Sequence, residues 1–401
     1  MMFFQCGVQR QIATIIFAVM SINTVYAAEW YMEPSANLRS EYNSNPTMTT
    51  IEQKGVGGAF LYLAGNLGVR SEHTDVSIKP VFHFNRYKGE NELDSNDQNI
   101  DLFSTYSTPH SIWKTEGNYT HNTTLTSEIE DTGIVQVPKR RNNWSLNPSW
   151  AYDLTERTNM ELAMGYNEVT YQNAKNVGLF NYNVKNAQIT LIRELSEVSQ
   201  SRMILYGSRF DVPDILKITN DYGIQAEYTR DFIRTHTTFM IGYHRSRYRY
   251  QVVELSQRGL TLDTKEDSKE GFLLGISATR SFLRSLLDIN LNRSIEPSGA
   301  GVLVRRDRAE INLKHDLTAK ASWTLNVLYS KYQTLQKSTA FSRREYDRAF
   351  LNLAWRISKS WFANLSYSYT QQKYKEMDST AHANVMAVLF TYNAPQRSIS
   401  R

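Results

Sequence analysis

Apolar and polar side chains alternate along almost the whole chain from about residue 30. In the stretch "SWFANLSYSYT" the apolar set is Trp361, Ala363, Leu365, Tyr367 and Tyr369. "NNWSLNPSWAYDL" and "ASWTLNVLYSKY" follow the same rule. Alternation with a period of two predicts β-strands that are apolar on one face and polar on the other. The runs extend to roughly the 9–11 residues that a tilted strand needs to cross a bilayer.

The alternating segments also belong to a repeat. Each copy has a strand, a charged turn of about four residues and a second strand, and the copies begin about 36 to 49 residues apart; they are 152–166, 193–207, 229–243, 278–292, 314–328 and 355–369. A repeat of this length is also typical of propellers and solenoids. A propeller blade has four short strands with a Gly and aromatic signature, and the sequence contains no such signature.

Long polar loops separate the repeats: 44–54, 88–97, 126–142, 172–180, 211–217, 251–268, 296–302, 335–343 and 375–380. Nine long loops and eight short turns predict about 18 strands, with 16 as the alternative. An outer-membrane barrel typically has its long loops at one end and its short turns and both termini at the other end. We therefore predict an all-β, transmembrane, antiparallel up-and-down β-barrel over residues 29–393, with 394–401 as an unpaired C-terminal tail. A soluble sandwich or a secreted solenoid is the alternative fold.

Residues 1–28 are predicted to be a signal peptide. Arg10 precedes the apolar run Ile12–Met20, and "VYAAE" provides small residues for cleavage after Ala27 or Ala28. A membrane anchor is the alternative, but the run is shorter than the roughly 20 residues of a spanning helix. The only cysteine, Cys6, lies within this segment, so the exported chain is expected to have neither disulfides nor thiolate chemistry.

The charge balance argues against a nucleic-acid binder. The net charge of +5 arises from 45 basic and 40 acidic residues, which describes a mixed surface and not a polybasic tail. The 24 Tyr, 17 Phe and 7 Trp fit strands that carry rings on their apolar face.

A barrel of about 18 strands is too wide for side chains to fill, so its lumen is expected to contain water unless a loop enters it. The long segments 126–142 and 251–268 are the candidates for such a loop. By parity, the charged pore-lining candidates are Lys79, Lys114, Glu116, Glu227, Arg306, Arg308, Glu310, Lys314, Arg344 and Arg348. The arginines of the later strands form an electropositive strip that favours anions or acidic sugars. The alternative is a ladder of ion pairs that stiffens the wall, with Lys114 beside Glu116 and Arg308 close to Glu310.

The stretch "YHRSRYRYQ" places Arg245, Arg247 and Arg249 on one face of a strand. They continue the parity of Phe239, Ile241 and Tyr243 beyond the predicted hydrocarbon band. Guanidinium groups bind phosphate well, so we predict contacts with lipopolysaccharide. The alternatives are solvated residues at a loop tip, or a β-bulge that turns the arginines inward.

Signals for an enzyme are weak. The eight histidines are scattered, and neither GxSxG nor HExxH occurs. His83, His244 and His382 are the residues that a hydrolase site on one wall would use. We expect no catalysis, no cofactor and no metal.

The opening segment "WYMEPSANLRSEYNSNPTM" resembles β-barrel porin families that are encoded beside exosortase and exopolysaccharide gene clusters. The resemblance rests on a Pro-led first strand that ends in Tyr42, Asn43, Asn45 and Pro46, and on the hairpin unit 152–166. It implies an outer-membrane barrel that serves polysaccharide export, and it implies no binding or catalytic residue.

The sequence thus predicts a porin-like channel in the outer membrane for anionic solutes or exopolysaccharide. The alternative is a non-conducting barrel whose loops bind a polysaccharide or a partner. The expected partners are outer-membrane lipid, lipopolysaccharide and exopolysaccharide export machinery, with no nucleic acid. The transported solute and the oligomeric state are left open.

Overall fold

The alternating segments are β-strands in the structure, a computed structural model that describes residues 28–130, 132, 137–256, 259–335, 343–375 and 378–400. The predicted signal peptide, apart from Ala28, lies outside the described residues. The strands are β1 Glu29–Asn43, β2 Val56–Arg70, β3 Thr74–Tyr87, β4 Ser95–Ser107, β5 Ser111–Thr123, β6 Arg140–Thr155, β7 Thr158–Tyr171, β8 Tyr182–Ser196, β9 Ser199–Val212, β10 Lys217–Asp231, β11 Thr235–Ser256, β12 Gly259–Ser281, β13 Ser285–Ser298, β14 Val302–Asp316, β15 Ala321–Thr334, β16 Arg343–Arg356, β17 Trp361–Tyr374, β18 Ser379–Asn393 and β19 Arg397–Ser400.

The strands close into a barrel of eighteen antiparallel strands, which confirms the predicted fold class. From β1 to β18 each strand pairs with the next in the chain, and β1 pairs with both β2 and β18. Closure therefore gives each of these eighteen strands two neighbours. Short turns join the strands at one end, called here the short-turn end. Longer connections lie at the opposite, long-loop end, and short 3₁₀ turns occur there at Asn91–Leu93, Lys175–Val177 and Pro213–Ile215.

The register explains why the alternation in sequence becomes an inside and an outside. Directly paired residues lie on the same face of a sheet. Leu38 pairs with Leu61, and Leu63 pairs with Phe82, and all of these side chains are exposed on the outer wall. The same parity continues around the ring, with register shifts only beside two short turns, between Asp153 and Thr155 and between Glu194 and Ser196. None of the described helices is long and apolar enough to span a membrane.

The C-terminal tail differs from the prediction. Residues 394–401 were expected to be unpaired beyond the last strand. Instead, β19 pairs with Glu29–Met32, the first residues of β1. β18 pairs with β1 only from Ser35 onward, so the short β19 completes the same edge of the barrel. The unpaired backbone of β1 explains the difference, because its N–H and C=O groups need partners.

The segment 251–268 also differs from the prediction, which made it a loop that could enter the lumen. Except for residues 257 and 258, which are not described, it extends β11 and β12. These strands pair continuously from Thr235 with Arg280 to Ser256 with Gly259. The β12–β13 pairing, in contrast, stops at Leu274 with Arg293. The β11–β12 hairpin therefore extends past the β12–β13 pairing at the long-loop end.

Candidate functional site: a lumen narrowed by an inward loop

Two belts of aromatic rings surround the outer wall. Six of the seven tryptophans lie toward the short-turn end: Trp30, Trp113, Trp150, Trp323, Trp355 and Trp361. Toward the long-loop end lie Trp144 and the outward tyrosines Tyr42, Tyr119, Tyr166, Tyr222, Tyr243, Tyr329 and Tyr367. The outward side chains between the belts are mostly aliphatic or Phe. On β1, Trp30 and Tyr42 are about 28 Å apart along the barrel axis, for a rise of about 3.3 Å per residue and a tilt of about 45°.

The inner wall is polar, and the register puts all ten charged candidates on it. Lys79 lies 4.7 Å from the ring centre of Phe103. Glu227 lies 3.9 Å from Arg202 on the neighbouring strand. Lys114 and Glu116 are both exposed to the lumen, and no ion pair joins them among the described residues. Their charges are therefore available to solutes, contrary to the alternative in which these two residues pair.

The later strands carry a cluster of arginines on the inner wall. Arg306 and Arg308 lie on β14, and Arg344 and Arg348 lie on β16. Arg308 donates to Glu310 at 2.9 Å, so this part of the wall does form an ion pair. Lys314, the tenth candidate, is exposed near the short-turn end and does not belong to the cluster.

The loop between β5 and β6, residues 124–139, is anchored beside its own strands. A helical turn, Thr124–Ser127, opens it, and Glu128 follows with almost no exposed surface. The hydroxyl groups of Tyr171 and Thr132 each donate to the Glu128 carboxylate at 2.7 Å, and Arg141 lies 3.6 Å away. The pKa of Tyr171 is raised well above its ordinary value, mainly by burial and also by the Glu128 carboxylate, so the phenol remains a donor. Tyr171 ends β7, beyond the aromatic belt.

The next two residues of this loop reach the arginine cluster. Arg344 donates to the carbonyl oxygen of Ile129 at 2.7 Å and also to that of Glu130. The Glu130 carboxylate lies 2.9 Å from Arg348 and 3.3 Å from Arg306. Arg308 lies 3.9 Å from the same carboxylate.

These contacts cross the lumen, because β5 and β14 are nine places apart in a ring of eighteen strands. A circular barrel of this size measures about 36 Å between opposite backbones, for strands about 4.8 Å apart and tilted by about 40°. Residues 124–130 extend at most about 20 Å, and an arginine side chain does not span the remaining distance. The contacts with Arg306, Arg344 and Arg348 therefore mean that the two walls lie closer together here than in a circular barrel. The prediction that segment 126–142 narrows the lumen therefore agrees with the described part of this loop, up to Glu130.

A second contact narrows the lumen at the long-loop end. The backbone N–H of Phe180, in the β7–β8 loop, donates to the carbonyl oxygen of Gly299 at 2.9 Å. Leu179 from the same loop packs in one apolar cluster with Phe210 and Leu303. Gly299 approaches so closely that a Cβ atom there would lie 2.4 Å from the Tyr171 hydroxyl oxygen. Only glycine fits this contact without a rearrangement.

The charges at the constriction nearly balance. Four guanidinium groups face three carboxylates, those of Glu130, Glu296 and Glu310, which leaves an excess of one positive charge (4 − 3 = 1). More positive charge lies at the short-turn end, where Arg284, Lys314, Lys320 and Arg356 line one depression with Asp316. The lumen is thus electropositive along the arginine wall, but less so than the arginine count alone suggests.

Arg245, Arg247 and Arg249 on β11 lie on the outward face, the face of Tyr243. Arg245 lies 3.3 Å from Glu270, and Arg249 lies 2.7 Å from Glu266. Arg247 pairs in register with Asn220 and Ser268, and no carboxylate contacts it among the described residues. Arg209 lines the same groove. Of the described arginines that line this groove, Arg247 and Arg209 remain available to an anion.

The histidine most relevant to a hydrolase site is buried in the wall. His244 lies 3.0 Å from Asp221 through its Nδ1, and the Ser246 hydroxyl donates to the same carboxylate at 2.5 Å. Ser246 Oγ lies on the Nδ1 side of the ring, at 3.4 Å. In a Ser-His-Asp site the hydroxyl faces Nε2, on the opposite side of the ring from the carboxylate. This cluster therefore lacks that arrangement.

Glu130 and Glu128 are among the site residues that sequence reasoning did not single out. Both lie in "SEIEDTG", within a loop that was expected to enter the lumen. Acidic residues in such a loop, combined with arginine-rich strands nine places later in the ring, are the signal that points to them.

Comparisons with known proteins identify no family. No protein-family model and no curated protein matches this chain. Among solved structures, the chain is similar to OccAB4 of Acinetobacter baumannii, with a TM-score of 0.48 and 8% identity over 94% of this chain and 100% of that chain. OccK2 (OpdF) of Pseudomonas aeruginosa, in complex with glucuronate, has a TM-score of 0.45 and 7% identity over 92% and 98%. The open form of the ferric-catecholate import receptor Fiu of E. coli K12 has a TM-score of 0.46 and 8% identity over 90% and 81%. The resemblance to the exosortase-linked porins stays a prediction.

Proposed function

We propose that the chain is a channel of the outer membrane that admits small hydrophilic solutes and prefers anions. The outer wall supports the membrane location. An apolar band between two aromatic belts, with tryptophan and tyrosine at its edges, is the exterior that a bilayer requires. Closure of the barrel pairs the strand backbones internally, which is the condition for crossing hydrocarbon without helices.

The observation that carries the proposed transport function is the loop that crosses the lumen onto the arginine cluster. The Glu130 contacts with Arg306 and Arg348 narrow the water-filled space at one level and leave a polar wall around it. A constriction with a small positive excess, followed by cations at the short-turn end, favours anions through long-range electrostatics.

The loop also favours a small solute over a polymer. A polysaccharide chain needs a continuous wide passage, and residues 128–130 lie across it. Exopolysaccharide export therefore remains a prediction, and it requires the loop to leave the arginine cluster. The non-conducting barrel remains the second candidate. The contacts of residues 128–130 across the lumen would block conduction completely if the passage beside them were too narrow for ions.

Planar bilayers test the proposal directly. We expect the purified mature chain to give stepwise conductance, with a reversal potential that indicates anion preference in a KCl gradient. Arg308→Gln should weaken this preference, because it removes a cation from the constriction. The matched control is Arg202→Gln, an inward arginine on β9 outside the cluster.

The outcomes separate the candidates. A protein that inserts, shifts its gel mobility on heating and yet remains electrically silent would refute the channel and favour the structural barrel. Cation preference in the unsubstituted protein would refute the role of the arginine wall while leaving the channel intact.

We also propose that lipopolysaccharide phosphate binds the outer groove at Arg247 and Arg209. Arg249 already faces Glu266, so its guanidinium has less to offer a phosphate. Arg247→Ala should therefore lower the affinity for lipopolysaccharide severalfold, and Arg249→Ala should lower it less. Equal losses in both variants would contradict this assignment, and co-purified lipopolysaccharide per barrel provides the measurement.

A further inference from the structure

The Glu130 carboxylate occupies a site made from three arginines. One carboxylate oxygen lies 2.9 Å from Arg348, and the other lies 3.3 Å from Arg306 and 3.9 Å from Arg308. Guanidinium groups that converge on both oxygens of one carboxylate are a recognition site for that group. The occupant here is part of the chain itself, carried on a loop that starts on the opposite wall.

The wall holds these arginines in place without the help of Glu130. Arg308 donates to Glu310 at 2.9 Å, and Arg348 donates to Asn326 at 3.3 Å. Arg306 donates to Glu296 at 3.2 Å and lies over the Tyr332 ring, 5.2 Å from its centre. Because each guanidinium has its own support, the site would keep its geometry if the loop tip left.

The site is also accessible to solutes from the lumen. The side chains of Glu130, Arg308 and Arg348 are about one-third exposed, at 32%, 27% and 31%, whereas that of Arg306 is only 10% exposed, so a solute reaches the site through Arg308 and Arg348. Glu128, which anchors the same loop two residues earlier, is only 1% exposed. Solvent therefore does not reach the Glu128 carboxylate that anchors the loop, whereas a dissolved anion can replace the Glu130 carboxylate at the arginines.

We infer that Glu130 is a tethered ligand, and that carboxylate solutes compete with it for Arg306, Arg308 and Arg348. This inference rests on the proposed function and adds its substrate class, small organic acids. A solute carboxylate that binds the arginines displaces the Glu130 side chain and leaves this end of the loop held only by the bonds from Arg344 to the carbonyl oxygens of Ile129 and Glu130. The loop remains attached through Glu128 and returns when the solute leaves. Each bound solute thus loosens the constriction it must pass.

The tether lowers the apparent affinity for a competing solute, since the solute binds only to the fraction of molecules whose site is free. Glu130→Gln keeps the size of the side chain and removes its charge. Gluconate should therefore bind about tenfold or more tightly to this variant than to the unsubstituted chain. Arg306→Gln combined with Arg348→Gln should abolish gluconate binding in the Glu130→Gln background, because it removes the two closest cations.

The experiment uses the detergent-solubilised mature chain and two readouts that do not depend on conduction. Calorimetry measures gluconate binding, and hydrogen exchange followed by mass spectrometry reports on the segment 124–130. Gluconate should speed exchange in this segment of the unsubstituted chain. Sorbitol, which has the same carbon skeleton without the carboxylate, should change neither readout.

Glu116→Gln is the matched control, since Glu116 is an inward carboxylate on β5 outside the arginine site. It should bind gluconate as the unsubstituted chain does. Equal gluconate affinity in the chain with and without Glu130→Gln would overturn the inference, as would binding that survives loss of Arg306 and Arg348. A barrel that conducts nothing yet shows the expected gluconate binding would refute the proposed channel and leave the tethered-ligand site standing.

Discussion

Replacement of Glu128 should detach the inward loop from its near wall. Glu128→Ala removes the acceptor for Tyr171 and Thr132 and leaves Arg141 without its carboxylate. The residue is almost fully buried, so water cannot replace these partners in the closed state. Removal of one member of a buried ion pair costs about 3–5 kcal/mol.

This free energy sets the expected size of the effect. The strands on both sides keep their pairing, so the cost falls mainly on the closed position of the loop. A change of 3–5 kcal/mol corresponds to roughly a 150- to 5,000-fold larger open population. Tyr171→Phe removes one charge-assisted hydrogen bond, which is worth about 1.5–3 kcal/mol, and should therefore have a smaller effect in the same direction.

Hydrogen exchange measures this population. The N–H of Thr124 donates to the carbonyl oxygen of Lys139 and that of Glu128 donates to Thr124, so both amides are protected while the loop is closed. We expect their exchange to accelerate most in Glu128→Ala, less in Tyr171→Phe, and not at all in the control Glu156→Ala at a short turn. Unchanged exchange in Glu128→Ala would show that Glu128 does not hold the loop, and the reasoning would fail.

Three further predictions concern the wall and the mouth of the barrel. Burial lowers the pKa of Lys217 from 10.5 to about 8. Between these two pH values the unfolded chain holds a proton on Lys217 that the folded chain has lost, so the free energy of unfolding should rise with pH across this window. Lys217→Met should add about 2–3 kcal/mol to the free energy of unfolding at pH 7 and less above pH 10, as measured by urea titration. Leu351→Arg on the outer wall should cost about 2–4 kcal/mol in folding into lipid vesicles, against under about 1 kcal/mol for the inward neighbour Asn352→Arg. Equal costs would contradict the assigned faces. Gly299→Ala should speed amide exchange in the β7–β8 loop, whereas Gly57→Ala, which has room for a Cβ, should not.

The sequence by itself determined the barrel and the faces of its strands. Side chains of a strand alternate between two faces, so "SWFANLSYSYT" already separates Leu365, Tyr367 and Tyr369 from Ser366 and Ser368. A one-residue shift would put the apolar set inside, so the pattern excludes such shifts and fixes the face of each side chain. The outward parity of Arg245, Arg247 and Arg249 and the inward parity of the later arginines followed from the same rule.

Only the tertiary structure decided which charges meet. Glu130 and Arg348 are 218 positions apart in sequence, and no period relates a loop residue to a strand on the opposite wall. The pairing of β19 with β1 likewise depends on which backbone groups lack partners once the ring closes. Periodicity is local and sets the face of each side chain. Contacts across the lumen depend on the number of strands, the closure of the ring and the direction of one loop.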